Sequence, residues 1–152
     1  MTNIVEQWLE EYLSSGRGKL YVGDGFEFII YKGFKILRDE ENTRIMDVRK
    51  TDFYSEVTIE DFNVLCTQGF VKGCDILVYN RDCKRVKYYK GRLAQKYKER
   101  EEARKQKGTV DPRRLAVRLE SLDRMITDGV DKLFFFEVRK TQTENKYNLN
   151  NE

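Results

Sequence analysis

The chain has 152 residues, of which 39% are hydrophobic and 36% are charged, and it contains no histidine. This length fits one domain that buries roughly two thirds of its unfolded surface, and the high charged fraction predicts a heavily solvated exterior. A nucleophile activated by an imidazole is excluded. Cys66, Cys74 and Cys83 form no C-x-x-C pair, so we expect reduced structural thiols, no metal site and no cofactor.

The first residues are amphipathic, because the apolar positions between Ile4 and Leu13 are separated by Glu6, Glu10 and Glu11. A signal peptide would need an uninterrupted apolar core, and no apolar run approaches the ~20 residues of a membrane span. We therefore expect no membrane partner and a cytoplasmic location. An excess of Lys, Tyr, Phe and Asn over Ala and Pro is typical of AT-rich coding, which favours a bacteriophage or mobile-element source. The protein would then act in the host cytoplasm or in the virion.

The first half of the chain predicts a helix followed by an antiparallel β-meander. Asn3 and Glu6 have the spacing of a capping box, which predicts a helix over 3–14. Turn residues such as those at 23–25 separate short apolar runs. The predicted strands are 19–22, 26–31, 34–38 and 44–49. Thr58 predicts the start of a short helix that ends near Gly69.

The second half predicts a helical hairpin over 75–128. A long basic helix spans roughly 75–107, and Asp111 with Pro112 begins a second helix that ends at Gly129. The long helix would measure ~48 Å and the second only ~25 Å, so the first half of the long helix is expected to pack on the sheet or on another chain. The apolar run within 132–140 predicts a last strand that is covered on both faces.

The sequence thus predicts an α+β fold with about four to six antiparallel strands. A single domain would span residues 1–140, with the hairpin 75–128 inserted before the last strand and projecting from the domain. Residues 141–152 are polar and rich in Asn, which predicts a C-terminal tail without order of its own.

The motifs that resemble active sites do not fit their chemistry. Around residues 14–19, a phosphate loop would need glycine where Leu13 stands and Ser or Thr where Leu20 stands, and the loop would follow a strand instead of a helix. The segments 47–50 and 137–140 each place an acid and a lysine three residues apart, which puts them on opposite faces of a strand. We therefore expect no catalytic residues and a protein that is not an enzyme.

Charge is distributed unevenly along the chain. Residues 1–80 carry 9 Lys and Arg against 14 Asp and Glu, residues 81–107 carry 12 against 4, and residues 108–152 carry 8 of each. On a helical wheel, one side of the basic helix carries a stripe of four cations and one aromatic ring: Arg81, Arg85, Tyr88, Arg92 and Lys96. Such a stripe can bind phosphates and stack on a base, although a solvated helix face has the same composition.

These features lead to three functional hypotheses. The first is a non-enzymatic assembly or adaptor protein, with a phage source, that contacts hetero- or homo-oligomeric subunits through its helical hairpin and C-terminal tail. The alternative is an accessory or regulatory protein that binds DNA or RNA through the basic helix 81–107. The third is an inhibitor of a host protein that uses the acidic residues 1–80.

Overall fold

The structure is a computed structural model that describes residues 3–48 and 55–149. The chain falls into two compact units, Met1–Val78 and Tyr79–Glu152. The elements in chain order are helix α1 (Ile4–Ser14), strands β1 (Tyr21–Gly23), β2 (Phe26–Tyr31), β3 (Phe34–Asp39) and β4 (Thr43–Asp47), and helices α2 (Ile59–Gln68), α3 (Phe70–Arg104) and α4 (Pro112–Tyr147). The predicted α+β class, N-terminal helix and antiparallel meander are confirmed. The prediction of one domain over residues 1–140 stays a prediction.

Helix α1 begins at the predicted cap. The Asn3 side chain accepts a hydrogen bond from the Val5 amide at 2.9 Å, which satisfies one of the amides left over at a helix start. Glu6, the expected second half of a capping box, instead forms an ion pair with Arg38 of β3 at 3.3 Å. The buried residues of α1 recur at the spacing of one helix face: Val5, Trp8, Leu9 and Tyr12.

The four strands form one sheet in the order β1-β2-β3-β4, with every neighbouring pair antiparallel. Ile36 pairs with Ile29 on one side and Ile45 on the other, so branched side chains line up across the face that meets the core. Ile29 and Ile36 are fully buried. The predicted last meander strand runs to Arg49, which lies outside the described residues, and β4 ends at Asp47.

Helices α2 and α3 approach each other closely at Gly73. A Cβ atom at Gly73 would lie 2.7 Å from Leu65 Cδ2 and 3.0 Å from Leu65 Cα, so only glycine fits there without displacing α2. This glycine is helical, and α3 begins at Phe70 rather than at the predicted residue 75. Phe70 stacks on Trp8, with ring centroids 6.3 Å apart, and the core of the first unit is thereby extended by one turn of α3.

Helix α4 continues through the predicted stop and the predicted strand. Gly129 was expected to end the helix, but it is buried inside α4, where a Cβ atom would lie 3.0 Å from Leu93 Cδ2 on α3. The prediction of a strand over 132–140 is wrong because the inward positions keep helical spacing beyond Gly129. Leu133 and Phe136 follow at steps of four and three and are half-buried, whereas Phe134 and Phe135 between them are exposed.

The length of α4 changes two further expectations. Its last residue is Tyr147, followed by Asn148 as a left-handed cap with φ of 54°, so residues 141–147 are helical and the predicted disordered tail is wrong there. Helix α4 is also as long as α3, at 36 and 35 residues. The part of α3 that was expected to need the sheet or another chain, within residues 79–93, packs on α4.

Candidate functional site

Helices α3 and α4 of the second unit are joined by a buried ion pair. Asp82 is fully buried, and its carboxylate accepts hydrogen bonds from Arg139 Nε at 2.8 Å and Nη2 at 2.6 Å. These hydrogen bonds raise the pKa of the Arg139 guanidinium above its ordinary value, although burial opposes the rise. A bidentate pair of this kind is directional, so it defines the register between the two helices.

Other polar contacts agree with that register. Tyr79 donates a hydrogen bond to Glu144 at 3.1 Å, and burial, followed by hydrogen bonds with Cys83 and Glu144, raises the pKa of the Tyr79 hydroxyl. Towards the other end of the hairpin, Arg100 forms an ion pair with Asp123 at 3.0 Å. Contacting residues have increasing numbers along α3 and decreasing numbers along α4, so the two helices are antiparallel.

The five residues of the predicted stripe lie along one side of α3, but they differ in exposure. Arg85, Tyr88 and Arg92 are exposed, and Tyr88 is 58% exposed. Arg81 is half-buried and already interacts with other groups of the protein. Lys96 is also half-buried, and it forms an ion pair with Glu99 at 3.0 Å; the hydrogen bond from Lys96 is the main reason that the pKa of Glu99 is lowered.

Aromatic rings of α4 extend the middle of this stripe. The guanidinium of Arg85 lies 4.9 Å from the centroid of the Phe136 ring, and Tyr89 stacks on the same ring at 5.9 Å. On the far side, Arg139 lies 5.2 Å from the centroid of Phe135. We call this set the cation–aromatic cluster; its members are Arg85, Tyr88, Tyr89, Lys132, Phe135, Phe136 and Arg139.

The α4 members of the cluster were not identified from the sequence because they lay within the predicted strand. The signal that could have found them is the unbroken helical spacing of Leu122, Ile126, Gly129, Leu133 and Phe136. Extending that pattern would have placed Phe136 opposite α3.

Lys96 contributes to a different feature, an open groove of about 550 Å³ between α3 and the first turns of α4. Arg113, Arg114 and Arg118 line the groove together with Lys96. Glu99 lies among them, so one carboxylate offsets part of the positive charge. The stripe residues therefore lie beside two different features, because Lys96 lines this groove while Arg85 joins the cation–aromatic cluster.

The outward side of α4 carries exposed apolar side chains. Phe134 is 69% exposed, and the neighbouring Phe135 is 56% exposed. With Val130 at 44% and Val138 at 38% exposed, these residues form what we call the apolar patch. Phe134, Phe135 and Val138 border an open groove of about 560 Å³ that Asp131 and Gln142 also line. The sequence predicted Phe134, Phe135 and Val138 to lie in a strand, where they would have been covered.

Of the two acid and lysine combinations considered in the sequence, the one at 137–140 lies within the described residues, and both of its side chains pair with other groups. On helix α4, Glu137 and Lys140 lie on neighbouring positions of one turn, so the argument from opposite strand faces does not apply to them. Glu137 instead contacts Lys90 at 3.7 Å, and Lys140 contacts Glu144 at 3.5 Å. Lys50 lies outside the described residues. Across residues 3–48 and 55–149, no three Cys, Asp or Glu side chains are grouped as metal ligands, and no helix is long and apolar enough to cross a membrane.

Comparison of the chain with models of protein families, with curated proteins and with solved structures gives no match. A function for the chain has to be inferred from its own surfaces. Two surfaces of the second unit have the chemistry of binding sites, the apolar patch and the cation–aromatic cluster, and both depend on α4 being one continuous helix.

Proposed function

We propose that the protein is an assembly or adaptor protein that binds a protein subunit through the apolar patch on α4. The observation that carries this proposal is the exposure of two adjacent phenylalanines, at 69% and 56%, on a regular helix. The composition of the chain favours a phage or mobile-element source, so the partner would belong to a phage particle or to a host complex.

Exposing aromatic side chains to water is unfavourable in free energy, and burying them in an interface would be favourable. Burying one large apolar side chain stabilises a protein by about 1.5–3 kcal/mol, and contiguous exposed apolar residues mark interaction sites more often than scattered ones do. Phenylalanine is also enriched in the buried centre of protein interfaces. Residues 141–147, which belonged to the predicted tail, form the last two turns of α4 and extend the surface beside the patch.

The proposal is tested by photo-cross-linking in cells that produce the protein. A photoreactive amino acid at Phe135 is expected to give a discrete cross-linked product with a protein. The same amino acid at Val117, which is 65% exposed on the same helix, is the control and should give far less of that product. Absence of any protein adduct from position 135, with the protein folded and abundant, would contradict the proposal.

A second candidate is the binding of single-stranded nucleic acid by the cation–aromatic cluster. The observation that favours it is the contact of Arg85 and Arg139 with Phe136 and Phe135, because arginines and rings on one surface can hold phosphates and stack on bases. Residues 79–152 contain 20 Lys and Arg against 12 Asp and Glu, so long-range attraction of a polyanion is favoured as well.

Fluorescence anisotropy with labelled single-stranded DNA and RNA tests this candidate. The double variant Arg85→Glu with Lys132→Glu, which changes two cations of the cluster, is expected to abolish binding, and the wild-type affinity should fall steeply with salt concentration. Lys19→Glu with Lys35→Glu makes the same change in net charge in the first unit and serves as the control. If the two double variants weaken binding equally, net charge rather than the cluster accounts for it.

A further inference from the structure

The apolar patch belongs to a longer seam that is symmetric in sequence. Starting from Phe134 and moving along the exposed side of α4, a valine lies four residues away in each direction and a threonine seven residues away in each direction. Read in order, the seam is Thr127, Val130, Phe134, Val138 and Thr141, and all five side chains are exposed. Steps of three and four residues keep these positions on one face of the helix.

A symmetric seam fits a second copy of itself in the antiparallel direction. A twofold axis through Phe134 places Val130 of one copy opposite Val138 of the other, and Thr127 opposite Thr141. The two phenylalanines meet at the axis. Contacts of this type are isologous, because the same patch is used on both subunits. We therefore infer that the partner bound by the apolar patch is a second copy of this chain, joined through an antiparallel pairing of the two α4 helices.

Charges beside the seam are complementary in the same arrangement. Asp131 and Arg139 flank the seam on one side, three residues before and five residues after Phe134. In the antiparallel pair, Asp131 of each copy lies beside Arg139 of the other copy. The two residues are offset by only about 3 Å along the helix axis. Asp82 occupies Nε and Nη2 of Arg139, and 32% of that side chain is exposed, which leaves the third nitrogen able to face an acid. In a parallel pair, Asp131 would instead face Asp131.

The size of the seam limits the strength of the association. From Thr127 to Thr141 the helix is ~21 Å long, so one pair of helices covers less than the ~800 Å² per partner of a typical stable complex. The dissociation constant of the dimer should therefore be micromolar or higher, and the dimer should be seen only at high protein concentration. This inference rests on the proposed function, since it names the partner of the same patch.

Sedimentation equilibrium of the full chain, from about 1 µM to about 1 mM, is the first test. Wild-type protein should change from monomer to dimer over this range. Phe134→Asp should raise the dissociation constant at least about tenfold, because it puts two like charges at the axis. Val117→Asp, a change of the same charge at another exposed position of α4, should leave the dissociation constant unchanged. Since Phe134 is exposed, circular dichroism should show the same helix content in all three proteins.

Cysteine cross-linking tests the direction of the pairing independently of its strength. In a background where the exposed Cys66 is replaced by serine, Phe134→Cys should cross-link to itself. Thr127→Cys alone should not, but a mixture of Thr127→Cys with Thr141→Cys should give the mixed dimer. Self-cross-linking of Thr127→Cys with no mixed product would indicate parallel helices and overturn the inference.

The outcomes separate this inference from the proposed function. A protein that is monomeric at every concentration and forms none of these disulfides, but gives a photo-adduct with a different protein from position 135, overturns the second copy and leaves the assembly function standing. A monomer that gives no photo-adduct at all overturns both. A dimer that is insensitive to Phe134→Asp overturns the seam as the contact.

Discussion

The two units of this chain bury their apolar side chains in different ways. The first unit stacks α1, α2 and the start of α3 on a four-stranded sheet, and its core side chains, such as Leu9, Phe34 and Leu65, are fully buried. The second unit consists of two helices, and one helix pair can cover only one side of each helix. It is held in register by buried polar groups such as Asp82, and it leaves Phe134 and Phe135 exposed.

This comparison separates the apolar residues that are buried in a core from those that are exposed to solvent. Residues of the same type have opposite roles in the two units, because burial depends on the number of layers around them. Charge follows the same division: residues 1–78 carry 9 Lys and Arg against 14 Asp and Glu, and residues 79–152 carry 20 against 12.

The largest expected difference in stability is between truncating a buried phenylalanine in the first unit and truncating an exposed one in the second. Phe34→Ala should lower the free energy of unfolding by about 3–5 kcal/mol, because Phe34 is fully buried and its removal leaves a cavity. Phe134→Ala should change the same quantity by less than about 0.5 kcal/mol, since its ring is mostly in water. Urea denaturation followed by circular dichroism measures both, and equal losses would mean that the exposed patch is structural.

Breaking the buried ion pair should be the next largest effect. Arg139→Met leaves the Asp82 carboxylate buried without its bidentate partner, which should cost about 3 kcal/mol of unfolding free energy. The matched control is Arg124→Met on the same helix, where the arginine is 75% exposed and lies 3.7 Å from Glu120. An exposed pair of this kind contributes about 0–1 kcal/mol. Thermal or urea denaturation of the two variants should therefore differ clearly, and similar losses would contradict a structural role for the Asp82 contact.

Replacing two helical glycines by alanine should change the stability of the protein in opposite directions. Gly91→Ala should stabilise α3 by about 0.5–1 kcal/mol, because no atom lies within 4 Å of the new methyl group and alanine is the better helix former. Gly73→Ala should be destabilising, since its methyl group would lie 3.0 Å from the Leu65 Cα atom. Melting temperatures of the two variants relative to wild type provide the measurement. A gain in both would mean that α2 can move away from α3.

The smallest expected effect is a pH dependence in the second unit. The pKa of Tyr79 is raised, first by burial and then by its hydrogen bonds with Cys83 and Glu144, so the folded protein keeps this proton when the unfolded chain has lost it. The contribution of Tyr79 to stability is thus complete below its ordinary pKa of about 10 and is lost as the pH rises above that value.

Tyr79→Phe should remove this dependence. Urea denaturation between about pH 9 and pH 11 should show wild-type stability falling more steeply with pH than that of the variant. The other eight tyrosines are common to both proteins and cancel in the comparison. Parallel curves would show that the hydroxyl ionises equally in both states.

Local patterns in the sequence were sufficient for much of the fold. Helix caps at Asn3, Thr58 and Asp111 were predicted correctly, because a cap depends on side chains within three residues of the helix start. The meander was predicted for a similar reason, since two of its three turns contain glycine, the third is a polar run at 39–43, and its strands show alternation. The positions of the stripe residues on one side of α3 follow from helical periodicity alone.

The start of α3 and the end of α4 could not be predicted from local patterns. Gly73 and Gly129 each appeared to mark a helix boundary, yet both lie inside helices. Leu65 packs closely against Gly73, and the Leu93 side chain packs closely against Gly129. Whether a glycine ends a helix or admits a neighbour depends on residues distant in sequence, which local propensity does not contain.

The sequence by itself therefore determined the α+β class, the capped starts of α1, α2 and α4, the meander and the concentration of positive charge in one helix, because each depends on residues a few positions apart. The tertiary structure decided that residues 133–136 are helical, that Asp82 and Arg139 set the register of α3 and α4, and which phenylalanines are buried. Four apolar residues in succession satisfy a buried strand and a two-sided helix equally well. Only the contact with α3 separates the two, since it covers part of Leu133 and Phe136 and leaves Phe134 and Phe135 exposed.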